Sequence, residues 1–313
     1  MKEYFGFECL FMNVSSGNRI CKLLQYIRLF LHSIRTMHVH DSDIVWLQLP
    51  QVPLLWAAFA YKCLRRGKVR IVADCHNGLF RAPWVTFPFG ISMLRKCDCV
   101  LIHNEEVLLT AGIASIPSDR LFVLEDVPAK TKEFCPLNNN LVYGRRPLIV
   151  FPASYGRDEP IAEIFTAARL SPEWTFVITG NTHDASGRHR LDDKPHNVVL
   201  TGFMPLSDFD ALIADADIIV GLTYLEGVQL SVCNEALGFG KAMVLSDTRI
   251  LRRLFSGAAV FVDCSNPNAI VEGIRSALER REQLELGSKS LCIQRMRQWE
   301  RTQASKVKQF LNS

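Results

Sequence analysis

The sequence has no apolar run long enough to cross a membrane. Its longest, Val52 to Tyr61, is ten residues, against the roughly 20 that a spanning helix needs. Cysteine pairs of zinc type are missing as well: the ten cysteines are scattered, and only Cys97 and Cys99 lie close together. That pattern predicts reduced core thiols in a cytoplasmic protein rather than a disulfide framework or a zinc module. Charge of one sign is nearly balanced, with 36 Lys and Arg against 32 Asp and Glu. No basic surface interleaved with aromatics appears, so nucleic acid is not an expected partner. The small surplus is uneven: residues 1–140 hold 16 basic against 12 acidic side chains, and residues 141–313 hold 20 of each. An excess confined to the N-terminal part suits an anionic membrane surface or a phosphorylated acceptor. Met1 to Gly6 contains Lys2 and Glu3 with no small-residue cleavage pattern after it, so no signal peptide is expected. Internal repeats are lacking too, beyond two similar α/β halves.

What is present suits a globular α/β protein. The 313 residues, 48% hydrophobic and 22% charged, suffice for two domains with their own cores. Phe7 to Val14 reads as a strand, followed by a Ser15-Ser16-Gly17-Asn18 loop. Arg19 to Met37 reads as a helix, with Ile20, Leu23, Leu24, Ile27, Phe30, Leu31 and Ile34 at helical spacing and four basic residues among them. It fits a membrane-surface helix or a core helix with a solvated basic face, and the second is the expectation. Asp43 to Leu49, the helix from Leu54 to Leu64 with Pro53 in its first turn, and Val69 to Ala73 form a parallel βαβ unit. Asp74-Cys75-His76-Asn77-Gly78 then follows at a strand's C-terminal end, where open α/β sheets bind their substrates. His76 there can act as a base or hydrogen-bond a sugar; the plainer alternative is an Asp–His pair bracing the loop. Leu79 to Gly90 carries Phe80, Trp84, Phe87 and Phe89 without a period, either as a presented loop or packed under helices.

Pro136 to Arg146 is rich in turn formers and marks the domain boundary. The expected domains are 1–140, 141–288 and a C-terminal helical segment 289–313 with Ile293, Met296, Trp299, Val307 and Phe310 as buried anchors. Strands are expected at Leu148–Ala153, Thr175–Gly180, Asn197–Phe203, Ala216–Val220 and Ala242–Leu245. The loop Ser154 to Pro160, between the first of these and a helix, is a place for a diphosphate, with Arg157 as its partner. Asp41-Ser42-Asp43 and Asp215-Ala216-Asp217 have the D-x-D form of metal sites, but both precede a strand, at the end away from the site. They read as turn and capping residues, and no metal is expected.

The central stretch is Leu222 to Asp263. A turn at Glu226-Gly227 leads into a helix carrying Glu235-Ala236-Leu237, which breaks at Gly238 and Gly240 before the next strand. A helix N-terminus offers free N–H groups and partial positive charge to a diphosphate, and a nearby carboxylate can hold hydroxyls. This stretch resembles the donor site of retaining glycosyltransferases of the GT-B fold, E-G-x-x-L-x-x-x-E-A-x-x-x-G-K-P-V-V. Here eight residues instead of seven separate Glu226 from Glu235, a rotation of about a quarter turn, and Ala242 stands in place of the proline. LQLPQVPLLW and RIVADCHNG resemble the N-terminal part of the dolichol-linked chitobiose mannosyltransferases.

The resemblance implies an α/β architecture of two Rossmann-like domains facing across a cleft, the first reduced or lacking its initial strand–helix unit. It implies transfer of a sugar from a UDP- or GDP-linked donor, without a cofactor, to a saccharide or lipid-linked acceptor in glycan biosynthesis. Donor contacts would come from Gly156, Arg157, Gly180, Gly202, Phe203, Gly227, Leu230, Ser231 and Glu235. Catalytic roles would fall to His76 and to Glu226 on the transferred sugar. Such a protein would work in the cytoplasm, with peripheral contact to the inner face of a membrane through its N-terminal domain. Two alternatives stay open: a non-catalytic subunit of the same fold that partners an active transferase, and a sugar-nucleotide epimerase.

Overall fold

The structure, a computed structural model, describes residues 2–11, 19–80, 82, 84–109, 115–128, 130–131, 144, 146–185 and 187–312. It divides into two compact units, one of Met1–Val127 with Trp299–Ser313 and one of Pro128–Gln298. The linker expected at 136–146 and the Ser15-Ser16-Gly17 loop fall almost wholly outside the described residues.

The first unit runs α1 (Lys2–Phe5), α2 (Arg19–Val39), β1 (Ile44–Leu49), α3 (Val52–Leu64), β2 (Arg70–Cys75), α4 (Gly90–Leu94), β3 (Cys99–Ile102) and β4 (Leu121–Val123). All four strands are parallel, in the order β1-β2-β3-β4. Runs such as Ile71–Cys75 and Cys99–Ile102 are continuously apolar or buried, as strands covered on both faces must be. Leu49, Leu55, Tyr61, Ile71, Val100 and Ile102 form the core on the α3 side. The expected βαβ unit is there, with Pro53 in the first turn of α3.

The second unit runs β5 (Leu148–Pro152), α5 (Ile161–Leu170), β6 (Thr175–Thr179), β7 (Val198–Gly202), α6 (Leu206–Asp215), β8 (Ile218–Gly221), α7 (Ser231–Gly238), β9 (Met243–Ser246), α8 (Arg249–Phe255), β10 (Ala259–Val262), α9 (Pro267–Glu279) and α10 (Arg281–Gln298). Its sheet is parallel, in the order β10-β9-β8-β5-β6-β7. Two apolar clusters cover its faces, one around Phe151, Phe165 and Ile274, the other around Val150, Leu245 and Phe255. The closing segment, from Trp299 through α11 (Ser305–Asn312), belongs to the first unit. There Trp299, Ala304 and Val307 pack on Val72, Cys99 and Leu101, and Trp299 Nε1 donates to the Glu125 carbonyl at 2.9 Å.

Several sequence expectations need correction. Phe7 to Phe11 belongs to no strand; Phe7 instead lays its ring against Trp46, 5.0 Å between centres. The helix α2 is only half a core helix. Ser33 is buried and Met37 packs on the core, but Leu23, Leu24, Ile27 and Leu31 are 50–62% exposed. The helix carries more apolar residues than one packed face takes up. In the aromatic stretch Phe80, Trp84 and Phe87 pack against the core, and Phe89 alone of the four is exposed. Ile293 faces solvent, because the buried phase of α10 runs through Ser288, Cys292 and Arg295. The thiols of Cys75, Cys97, Cys99, Cys233 and Cys264 are buried and unbridged. Burial pushes those of Cys97 and Cys99 up to about 12, so they are inert protonated core groups.

Candidate functional site

The strand order of the second unit contains one reversal. From β5 the chain steps through β6 to β7 on one side, and β8, β9 and β10 step away on the other. Loops leaving β5 and β8 at their C-terminal ends therefore diverge, and crevices at such a point are where open α/β sheets bind ligands. The two loops, residues 153–160 and 222–230, carry Gly156 and Arg157 on one side and Glu226, Gly227 and Leu230 on the other.

The loop after β5 is held by its own carboxylates. Glu159 accepts from Ser154 N at 2.9 Å, Ser154 Oγ at 2.9 Å and Gly156 N at 3.0 Å. Asp158 reaches across the reversal, where its Oδ2 accepts from Thr223 Oγ1 at 2.7 Å and its carbonyl accepts from Tyr224 N at 2.8 Å. Thr223 N in turn donates to Ser246 Oγ at 2.8 Å, at the end of β9. On the other flank His189 Nε2 donates to the Gly156 carbonyl at 2.8 Å, and Arg188 to that of Tyr155 at 3.4 Å. The N–H groups of Ser154 and Gly156 are thus occupied by Glu159, which leaves Arg157, exposed on the loop, as its feature suited to a phosphate.

Gly180 closes this side. Its φ is +116°, and a Cβ there would stand 2.0 Å from the Ala153 carbonyl oxygen. Only glycine permits the approach of β5 and β6 at that level. Gly180 N donates to the Gly202 carbonyl at 3.1 Å, so Gly156, Gly180 and Gly202 lie at the ends of three neighbouring strands. Phe203 follows β7, the edge strand, and is 85% exposed.

On the other loop, Gly227 has φ +73° and the chain enters α7 through Leu230, which has no side-chain cap. The Leu230 side chain packs toward Gly221, which leaves its backbone as the part available to a ligand at this helix start. Ser231 is exposed at the first position of α7, and Glu235 is half-buried one turn on. Glu226 is placed differently from the carboxylate that the pattern put at the start of α7. Its Oε2 accepts from Arg249 N at 3.2 Å, at the start of α8. Lys241 is buried and donates to the Ala214 carbonyl at 2.9 Å, which makes it a structural residue. Asp215 and Asp217 sit at the opposite end of the sheet. Arg146 pairs with both, at 2.5 and 2.9 Å, and Arg281 pairs with Asp217. Asp41 and Asp43 pair with Arg65.

In the first unit, four consecutive strand ends bring together polar side chains, of which the sequence points to His76 and, as a loop-bracing partner, Asp74. Gln48 lies in β1, Asp74 in β2 with His76 just past it, His103 just past β3 and Asp126 beyond β4. His103 Nε2 is 2.7 Å from Asp74 Oδ1, and its Nδ1 is 3.2 Å from Asp126 Oδ1. Trp46 Nε1 donates to the other Asp74 oxygen at 3.0 Å. The His76 ring lies 3.9 Å from that of His103, and its Nε2 meets the Gln48 amide at 2.8 Å. Asp74 and His103 are each 5% exposed. Burial pulls the His103 imidazole down, but the hydrogen bonds to Asp126 and Asp74 reverse this and raise it to about 9. Burial lowers His76, and the neighbouring His103 lowers it further against the pull of Asp74 and Asp126. Ligand atoms of Asp74, His76 and His103 lie within 4.8 Å of one another. However, both His103 nitrogens face carboxylates, the arrangement of an imidazolium donating twice. A cavity of about 380 Å³ lined by Arg70, Asp98, Asp119, Arg120 and Phe310 also belongs to this unit, at the N-terminal ends of β2 and β3.

Residues 138–289, just under half of the chain, match the family described as glycosyl transferases group 1. No curated protein matches the sequence. Among solved structures, sucrose-phosphate synthase from Thermosynechococcus elongatus is similar with a TM-score of 0.71 at 16% identity, over 95% of this chain and 80% of that one. The Anabaena protein HepE, solved with UDP and glucose, gives 0.70 at 14% identity over 91% and 80%. The Escherichia coli trehalose-6-phosphate protein bound with UDP-2-fluoro glucose gives 0.68 at 14% over 94% and 79%. At these identities the structural likeness carries the fold, and the family match carries the activity class. The match to the group 1 glycosyl transferases lies within the second unit, and the chain is a glycosyltransferase with the GT-B fold.

Proposed function

We propose that the chain transfers a hexose from a UDP- or GDP-linked donor held by the second unit to a saccharide or lipid-linked acceptor presented by the first. The observation that carries this is the coincidence of the β5/β8 reversal with the group 1 glycosyltransferase domain. UDP and UDP-sugars occupy the similar structures solved with ligand. In this reading the diphosphate meets the N-terminus of α7, where Gly227, Leu230 and Ser231 offer backbone and hydroxyl groups, with Arg157 as counter-charge. Glu235 holds the ribose, Glu226 the transferred sugar, and the ends of β6 and β7 with Gly180, Gly202 and Phe203 line the base. Fixed dipoles and the arginine stabilise the departing diphosphate. His76 serves the acceptor.

The same reading gives α2 a use. Exposed Leu23, Leu24, Ile27 and Leu31 share a helix with Arg28 and Arg35, and the helix has no acidic residue. Apolar side chains beside basic ones suit the headgroup region of an anionic bilayer, where a lipid-linked acceptor resides. No helix among the described residues is long and apolar enough to cross a membrane.

Release of nucleoside diphosphate from a panel of UDP- and GDP-sugars, with and without candidate acceptors, tests the proposal. Acceptor-dependent release from one donor, with the coupled product identified by mass spectrometry, is the expected result. Conversion of a free nucleotide sugar to its epimer without acceptor would place the protein with the epimerases. A folded protein that binds no nucleotide would place it as a non-catalytic subunit.

A further inference from the structure

The reading of His76 as the acceptor's base leaves a question that the first unit answers. A base must be neutral and fixed in direction before it takes a proton. His76 is only half-buried, and two carboxylates lie close enough to favour its charged form. Burial disfavours the charged ring most, and His103 adds to that against the pull of the two carboxylates. The two His103 nitrogens face Asp74 and Asp126 at 2.7 and 3.2 Å, so an imidazolium there donates to one carboxylate from each side. The His103 ring centre is 3.9 Å from that of His76, and a second cation at that distance is strongly disfavoured.

We propose that His103 is a positioning residue for the transfer reaction: as an imidazolium clamped between Asp74 and Asp126, it keeps His76 neutral and seated against Gln48. This rests on His76 serving the acceptor as proposed above. Gln48 of β1 meets its Nε2 at 2.8 Å, Asp74 of β2 is locked by Trp46 and His103, His103 follows β3, and Asp126 follows β4. The Cys75 thiol beside it is fully buried and held protonated by burial. The Gln48 amide nitrogen faces His76 Nε2; rotation of that amide by 180° brings its oxygen there, so that Nε2 keeps the ring proton and Nδ1 offers its lone pair. The acceptor O–H proton then passes to Nδ1, the acceptor oxygen bonds to the anomeric carbon, and the bond from that carbon to the diphosphate breaks. The nucleoside diphosphate leaves with the electron pair, and His76 leaves the step as an imidazolium that returns its proton to water.

The test reads the histidines directly. With eight histidines in the chain, ring signals of ¹³C-histidine-labelled full-length protein are assigned from His76→Gln and His103→Gln and followed from pH 5 to 10. The expected result is a His103 ring that stays an imidazolium past pH 8 and a His76 ring that titrates below the ordinary histidine value. A His103 that titrates near the ordinary value, or a His76 that protonates first, overturns the proposal. So does broadening of both signals by added Co²⁺, which would make the cluster a metal site. For turnover, His103→Gln is expected to move the acid limb of the kcat/KM profile up by about one pH unit or more, with donor affinity unchanged. An unmoved limb in a folded variant sinks the idea. If the wild type transfers no sugar at all, the functional reading fails, and the ring titration still decides the charge state of His103.

Discussion

The buried His103 cluster makes stability depend on pH in a direction that can be worked out in advance. The folded imidazole holds its proton to about 9, whereas the unfolded one releases it near 6.5. Its contribution is therefore complete below pH 6.5 and is lost as the pH rises through about 9. The difference corresponds to something on the order of 3 kcal/mol, of which about 2 to 3 kcal/mol disappears between pH 7 and 10. Buried thiols such as Cys97 and Cys99 also weaken the fold as pH rises, because they resist ionisation. Wild type and His103→Gln share that slope, so the informative quantity is the gap between them. Four of the five tryptophans, Trp46, Trp56, Trp84 and Trp299, lie in the first unit, and their fluorescence during urea unfolding reports mainly on it. The variant should be well below wild type at pH 7, since Asp74 is left buried without its cation. The gap should narrow by about 2 kcal/mol or more at pH 10. A gap that stays constant across this range would refute the clamped imidazolium.

Two further perturbations test separate parts of the structure. Gly180→Ala places a methyl 2.0 Å from the Ala153 carbonyl at a φ of +116°, and a loss of about 3 kcal/mol or more is expected; a melting temperature within a degree of wild type would show that the two strands approach less closely. Ile27→Glu with Leu31→Glu adds charge to the exposed face of α2, so co-sedimentation with vesicles containing phosphatidylserine should fall several-fold and wild-type binding should weaken with salt; equal binding by the double variant removes the membrane role of that helix.

The second unit was the more legible part of the chain. Its strands are short continuous apolar runs separated by turn residues, and β5 to β9 came out within two residues of their expected ends. The helix behind Glu226-Gly227 also appeared where the sequence put it. What the pattern did not contain was direction: Glu226 sits on the loop before α7, yet its carboxylate turns to Arg249 at the start of α8. The hold of Glu159 on Ser154 and Gly156 was equally hidden, because a loop's internal bonds leave no periodicity. In the first unit, only Cys75 separates Asp74 from His76, but His103 lies 29 residues beyond Asp74 and Asp126 further still. A signal existed nonetheless, since parallel strands bring the residues just past each C-terminal end to one rim. A polar residue after each of three successive apolar runs marks such a cluster. For α2 the error came from reading helical spacing as burial; seven apolar positions in that helix spread over more than one face.

The account turns on a donor site at the β5/β8 reversal, and calorimetric titration of UDP-glucose and GDP-mannose into wild type and Glu235→Gln tests it most directly. One nucleotide sugar should bind saturably with one site per chain, and the variant should bind it at least about tenfold more weakly, as loss of a charged hydrogen bond implies. Equal affinity in the two proteins, or no heat with either nucleotide from a protein that unfolds cooperatively, would contradict it.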